Sequence, residues 1–560
     1  MRKNYWFLIG GLIILFCASS VYAEDGFNES LSKARKLVDD KSYVSALDVY
    51  SSISEGLRRD PGLVIEWARV YTYANKHTEA IKLFEEVRLV HPERSDEIMR
   101  ELADQYRWNG QKSEALQIYD QILKRLPNNT DALLGKADIL SLQDKLEESY
   151  LLYQNVLDND PENLTALISQ AKILVWQGYH RKGISRYEEI LKRYPKNPDA
   201  IEGIAFAFHW LGDDMRAVER IKEILEFEPN RKEAQDLYSQ IKNSQHLFVR
   251  PYSRFTNDST PQTVVTGGLR SGLHLDYSTS IDGIYEHQVL RKKGSVVPTL
   301  SLNRQGAGLS KSFGDAYEFN TFLYVTEFNK IDFNPVTTNT WFTYKPDDCW
   351  RVDFAYERET FEDNDALFYK VITNSPSLSL DFRPDRFWFF NLKYKRSYFS
   401  DDNRQNQIFG TAEYRLSNKP YIKLYYNYYY SSWGEPELNH GYFNPRSLRS
   451  HTLGIYTGLD LTSKLFVEAK VSGGYEFQRK PDNLHKKSDH PTCYTAASLN
   501  YRLTDNWLLS ASGDFFTTWP DHGQRSYQKR GAYLSVTYNF GASPVYLRDA
   551  TRPFRPTGGS

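Results

Sequence analysis

The stretch Tyr442–Phe477, YFNPRSLRSHTLGIYTGLDLTSKLFVEAKVSGGYEF, decides how the chain is read. It consists of two alternating runs joined by the short polar turn Leu461-Thr462-Ser463-Lys464. In the second run Leu465, Val467, Ala469, Val471, Tyr475 and Phe477 fall on one side, and Phe466, Glu468, Lys470, Ser472 and Glu476 on the other. Side chains alternate faces along a strand, so the segment reads as a hairpin with one apolar and one polar face. One such hairpin fits a soluble half-buried sheet as well as a membrane barrel. How often the pattern recurs separates the two.

It recurs from His246 to about residue 540, as sixteen alternating runs. Short connections rich in Asp, Asn, Ser and Pro (Tyr344–Cys349, Phe382–Arg386, Ser417–Pro420, Leu461–Lys464, Leu503–Asn506) alternate strictly with longer ones (Thr360–Ala366, Ser400–Gln405, Ser431–Arg446, Gln478–Pro491, Trp519–Gln528). That asymmetry is the periplasmic-turn, extracellular-loop pattern of outer-membrane barrels. Residues 246–540 are therefore expected to form a 16-stranded antiparallel transmembrane β-barrel whose first strand rises from the periplasm. A strand is expected over 366–382. Trp388, Phe390 and Leu392, with Leu424, Tyr426 and Trp507, would face lipid. The opposite faces supply the pore-lining candidates: Arg351, Asp353 and Glu357; Lys393 and Lys395; Glu413 and Arg415; Lys423, Tyr425 and Tyr429; Glu468, Lys470 and Glu476; and Asp514. Both charge signs mix with Tyr and Asn, which suits sugars better than a highly charged polymer. Asp353 and Glu357 have the residue types of a glycosidase pair. Two carboxylates on one strand of a pore, however, more often just face water. No catalytic residue, metal site or cofactor is expected.

The half before residue 246 has a different period. Prolines at 61, 92, 127, 161, 195 and 229 recur about every 34 residues, the signature of paired-helix tetratricopeptide repeats. Ala34, Ala68, Ala103, Ala137, Ala171 and Ala205 mark where the two helices of each repeat approach closely. Ala46, Ala80, Ala115, Ser149, Gly183 and Ala217 do the same on the second helix, and Tyr50, Phe84, Tyr119, Tyr153, Tyr187 and Ile221 follow four residues later. Residues 24–245 thus read as a superhelix of about six repeats closed by a polar capping helix over Lys232–Asn243. Trp108, Trp176 and Trp210, each two residues before a glycine, are expected to pack into the next repeat. The fold class is α + β multidomain.

Arg2 and Lys3, the apolar run Trp6–Phe16 and Val21-Tyr22-Ala23 make residues 1–23 an expected signal peptide. The two cysteines left after cleavage, Cys349 and Cys493, are expected a membrane thickness apart and unbridged. The tail 541–560, with Pro544, Pro553 and Pro556, reads as disordered. The net charge of −1 does not suggest nucleic-acid binding.

In this order of parts the chain resembles the exopolysaccharide-export porins, such as the poly-N-acetylglucosamine porin and the barrel of the cellulose-synthase C subunit. The local match is Tyr442-Phe443-Asn444-Pro445, which looks like the Tyr-Phe-x-Pro segment of those barrels. YaiO-like outer-membrane barrels share its Trp-x-Gly repeats. The array is shorter than in the best-known exporters, a deacetylase-like domain is missing, and the polar faces lack an acidic bias. The resemblance implies an outer-membrane porin exporting an exopolysaccharide. Its periplasmic repeats would bind a protein partner in their groove or guide the polymer, and its barrel would contact outer-membrane lipid. The competing expectation is an outer-membrane-anchored repeat scaffold for an envelope complex, with no polymer transport.

Overall fold

The structure, a computed structural model, describes residues 26–418, 420–435, 445–479, 487–518 and 527–541. The expected signal peptide, Tyr442 and Phe443 of the loop motif, and the tail beyond Gly541 lie outside the described residues; Pro445 lies within them. The chain divides into two compact units, one ending at Ile173 and one beginning at Leu174.

The helices are α1 (26–39), α2 (Tyr43–Ser52), α3 (Ser54–Leu57), α4 (Pro61–Tyr73), α5 (His77–Val90), α6 (Ser95–Trp108), α7 (Lys112–Arg125), α8 (Thr130–Leu142), α9 (Leu146–Asn159), α10 (Leu164–Trp176), α11 (His180–Arg193), α12 (Pro198–Leu211), α13 (Asp214–Phe227) and α14 (Lys232–Ser244). Their periodicity comes from three repeated local choices. Asp60, Asn129 and Asn197 cap the first helix of their repeats by accepting a bond from a backbone N–H two or three residues on. The turn between the paired helices needs a left-handed residue, met at Lys41, Asn75, Gly110, Asp144, Gly178 and Gly212. Ala34, Ala68, Ala103, Ala137, Ala171 and Ala205 are fully buried, as a close helix crossing requires. Where Ser149 replaces alanine, its hydroxyl donates to the carbonyl of Ala137 at 2.7 Å, so no buried polar group is stranded.

Trp108 and Trp210 behave differently from expectation. Trp108 is 49% exposed and rests against His77 of the preceding helix, with ring centroids 5.7 Å apart. Trp210 likewise lies against His180 and Phe206. Each sits at the last turn of its helix, where the chain reverses, so the ring folds back on the helix before it rather than into the repeat after it.

From Phe248 the chain forms sixteen strands: β1 (Phe248–Asp258), β2 (Gln262–Asp276), β3 (Thr279–Lys292), β4 (Thr299–Phe313), β5 (Tyr317–Phe328), β6 (Val336–Tyr344), β7 (Trp350–Thr360), β8 (Ile372–Phe382), β9 (Trp388–Phe399), β10 (Arg404–Asn418), β11 (Tyr421–Trp433), β12 (Ser447–Thr462), β13 (Leu465–Arg479), β14 (Lys487–Arg502), β15 (Trp507–Thr518) and β16 (Gln528–Asn539). They pair antiparallel in sequence order, and β1 pairs with β16 to close the barrel. Closure leaves no free edge. Leu323, Phe354, Leu392, Leu424, Leu453, Val471 and Leu534 project from the outer wall with large exposed areas. An apolar exterior carried around a closed barrel fits an outer-membrane protein. Among the described residues no helix is long and apolar enough to cross a membrane.

Two details differ from the sequence reading. Residues 366–371 are not strand: Asn364–Phe368 form the short helix α15, capped by Asp363, whose side chain accepts from the N–H groups of Asp365 and Ala366. The alternation of connection lengths is also incomplete. The β9–β10 connection spans only 400–403, because Ser400 still hydrogen-bonds Ile372 of the neighbouring strand and prolongs the pairing. The opposite turns keep the expected chemistry. Asp347 accepts from the N–H groups of Cys349 and Trp350, and Asp385 accepts from those of Phe387 and Trp388. Cys349 sits in the β6–β7 turn and Cys493 within β14, both as free thiols.

Candidate functional site: the inner wall of the barrel

The inner face is identified by contacts that skip a strand, since only on the concave side of a closed wall do alternate strands converge. Lys395 of β9 bonds Glu357 of β7 across β8, and Tyr252 of β1 bonds Glu286 of β3 across β2. With strand periodicity this places Arg351, Asp353, Glu357, Lys393, Lys395, Glu413, Arg415, Lys423, Tyr425, Tyr429, Glu468, Lys470, Glu476 and Asp514 on one face.

Part of the charge on this face is neutralised locally. Arg351 donates to Asp353 at 3.0 Å, and Asp353 also accepts the Thr343 hydroxyl at 2.5 Å. Glu357 is clamped between Lys395 and Lys393, the latter at 3.6 Å. Lys423 reaches Glu413 at 2.8 Å and lies 5.1 Å from the ring centre of Tyr456. Arg415 donates to Asn418 and covers the Tyr421 ring. Glu468 accepts from Tyr456 and from Ser498, the latter at 2.7 Å. Lys470 lies 4.6 Å from the ring centre of Tyr425 and 5.6 Å from that of Tyr494. Tyr429 accepts from Gln407. Among the described residues Glu476 and Asp514 make no ion pair. The two carboxylates with glycosidase residue types, Asp353 and Glu357, each belong to their own cation and do not form a shared centre. Among the described residues no cluster of His, Cys, Asp and Glu is able to hold a metal ion.

The sequence reading missed the inner residues of β1–β4. Arg270 pairs with Asp282 at 2.9 Å, Arg304 approaches Glu286 at 3.5 Å, and Arg250 donates to Thr537 at 2.8 Å. The available signal was the alternation of Arg250, Tyr252 and Arg254 along β1.

At the end of the barrel that carries the short turns, the last helices dock directly. Asp348 of the β6–β7 turn accepts from the backbone N–H of Arg181 at 3.0 Å and of Lys182 at 3.3 Å, capping α11 from outside. Asp315 of the β4–β5 turn accepts from Arg181 at 2.6 Å and from Arg216. The Tyr179 hydroxyl donates to the carbonyl of Pro384 at 2.9 Å. Burial of Asp315 would push its carboxyl up, but the bonds from Arg181 and Arg216 outweigh it and hold the group below the usual carboxylate range.

A tetratricopeptide repeat family model matches residues 99–129. The chain is a tetratricopeptide-repeat region followed by a closed sixteen-stranded barrel. Among solved structures it is similar to a bacterial polysaccharide outer membrane secretin, at 14% identity over 53% of this chain and 99% of that one, with a TM-score of 0.43. It is also similar to a tetratricopeptide repeat protein from Parabacteroides merdae, at 18% identity over 39% and 86% of the two chains, TM-score 0.36. A tetratricopeptide protein of Thermus thermophilus matches at 15% identity over 32% and 97%, TM-score 0.29. No curated protein sequence matches the chain significantly.

Proposed function

We propose that the chain is an outer-membrane conduit for a secreted polysaccharide, with its repeat region in the periplasm binding a protein partner or guiding the polymer. The observation that carries this reading is the inner wall. Several of its charges are paired, both signs are present, and Tyr429, Tyr456 and Tyr494 lie among them, so the bore offers aromatic and hydrogen-bonding groups without a strong field of one sign. Pyranose rings stack on such faces, and their hydroxyls bond to carboxylates and amides. A polyanion or polycation gains little from a wall that mixes both signs of charge. The resemblance of Tyr442–Pro445 to the export-porin segment points the same way. Helices α11 and α13 dock on the short-turn end, where a polymer made inside the cell would arrive.

The test is conductance of the full chain in planar bilayers, followed by neutral oligosaccharides added to the side bearing the repeats. A conduit passes ionic current that neutral β-linked oligosaccharides interrupt transiently. A barrel without current is an anchor, and the scaffold reading then replaces this one.

A further inference from the structure

The β7–β8 connection (361–371) leaves its own strands and reaches the far wall. Lys292 Nζ of β3 lies 2.6 Å from Asp363 and 2.9 Å from Asp365. The Ser295 hydroxyl donates to Asp365 at 2.5 Å, and the Asn364 amide donates to the carbonyl of Val297 at 2.7 Å. Glu362 pairs with Arg254 of β1. Leu367, 1% exposed, is packed among Val264, Leu290, Leu300, Leu302 and Phe333. On its other flank the loop buries Ala366 and Val371 against Phe399, with Phe361 and Trp433 alongside.

The geometry of the wall makes these contacts informative. β7 stands six strands from β1 in a barrel of sixteen, close to the opposite side, so a β7–β8 loop that touches β1, β2 and β3 must cross the opening. It also descends. Arg254 lies four residues inside the end of β1, about 10 Å below the rim for tilted strands. Val264 and Leu290 belong to the same inward-facing set. Val264, Leu290, Leu300 and Leu302 make an apolar patch on the inner wall, and α15 covers it together with Phe333 of the β5–β6 connection.

We propose that this loop is the size-selecting element of the pore: latched to β1–β4, it narrows the bore and sets the largest solute the barrel passes. The idea rests on the conduit reading. Its latch has two parts, a cluster of ion pairs centred on Lys292 and an apolar seat for Leu367, so either part is open to separate attack.

The experiment compares full-length chains in planar bilayers, reading single-channel conductance and the exclusion limit for neutral polyethylene glycols. Lys292→Glu turns the latch cation into a third carboxylate facing Asp363 and Asp365, and replacement of 362–371 by a Gly-Ser linker removes the loop. Both are expected to raise conductance severalfold and to admit larger polymers. A third variant, Ser295→Cys with Asp365→Cys in a background of Cys349→Ser and Cys493→Ser, locks the loop when oxidised. It is expected to keep the parent's conductance and to lose that restriction on reduction, which separates release of the loop from misfolding. Equal conductance and equal exclusion limits across parent, Lys292→Glu and the loop replacement would overturn the inference while leaving the conduit intact. Absence of current from every variant, the loop replacement included, would overturn the conduit reading and this inference with it.

Discussion

The repeat region and the barrel solve opposite packing problems. In the repeats the recurring positions are apolar and turned inward: Tyr50, Phe84, Tyr119, Tyr153, Tyr187 and Ile221 are all buried between helices. In the barrel a band of apolar residues turns outward, and the interior holds Asp353, Glu357, Lys395 and Asn500 almost without exposure. Yet both regions use one device at their tightest contacts, an aromatic ring laid over a neighbour's glycine. Tyr119 covers Gly135 and Tyr187 covers Gly203 between helices; Tyr252 covers Gly268 and Tyr425 covers Gly454 between strands. At each of these glycines the ring occupies the space a Cβ would need. The difference teaches that hydropathy decides which face is hidden, whereas the shape of a close approach is solved the same way in either solvent.

The comparison is broken most directly at Leu392. If the outer wall faces lipid, Leu392→Arg should cost about 2–4 kcal/mol. The loss would be read as lowered stability to urea in bilayers, with neighbouring Asn391→Arg on the inner face far milder. Equal tolerance at both positions would remove the lipid-facing assignment. Next in size, Gly135→Val drives a branched side chain into the Tyr119 ring and should cost about 1–3 kcal/mol, seen as a lower melting temperature of the helical signal. Gly454→Val meets the buried ring of Tyr425 and Cβ of Ser472 in the same way, so the loss there should be similar.

The joint between helices and turns comes third. Asp315→Asn leaves Arg181 and Arg216 without their shared carboxylate and should loosen the joint by about 1–2 kcal/mol, an estimate discounted for partial exposure. The folded-state carboxyl titrates below its unfolded value. Its contribution is therefore present above the ordinary carboxylate range, about pH 4, and is lost as pH falls through the lower folded value. Hydrogen exchange of α11 and the start of α13 should accelerate in acid for the parent chain and much less so for Asp315→Asn. An identical acid response would assign the effect to other groups. The smallest effect is expected at the inner pair Glu413 and Lys423, whose coupling in a double-mutant cycle should fall below about 1 kcal/mol. Lys423→Ala should nevertheless tilt the ionic selectivity of the bore towards cations, measured as a reversal-potential shift in a salt gradient.

Much of this was legible because both regions repeat. The 34-residue period gave the six buried alanines directly, and alternation gave the sixteen strands. The inner residues of β1–β4 were harder to read because the opposite, outward positions include Gly267, Ser271 and Gly283, too small to mark an apolar face. The loop across the bore escaped for a different reason. Ala366-Leu367-Phe368 runs into Ile372 as an apolar stretch that passes for strand. What holds it as a helix is Asp363 at its start and Lys292 and Leu290 some seventy residues away. Local pattern carries no record of such partners.

The seam between β1 and β16 governs the order of events during assembly. Phe248 pairs with Asn539 and Asp258 with Lys529, so the first strand stays half-bonded until the last strand arrives. Whatever inserts the barrel must shield the open edge of β1 until β16 pairs with it.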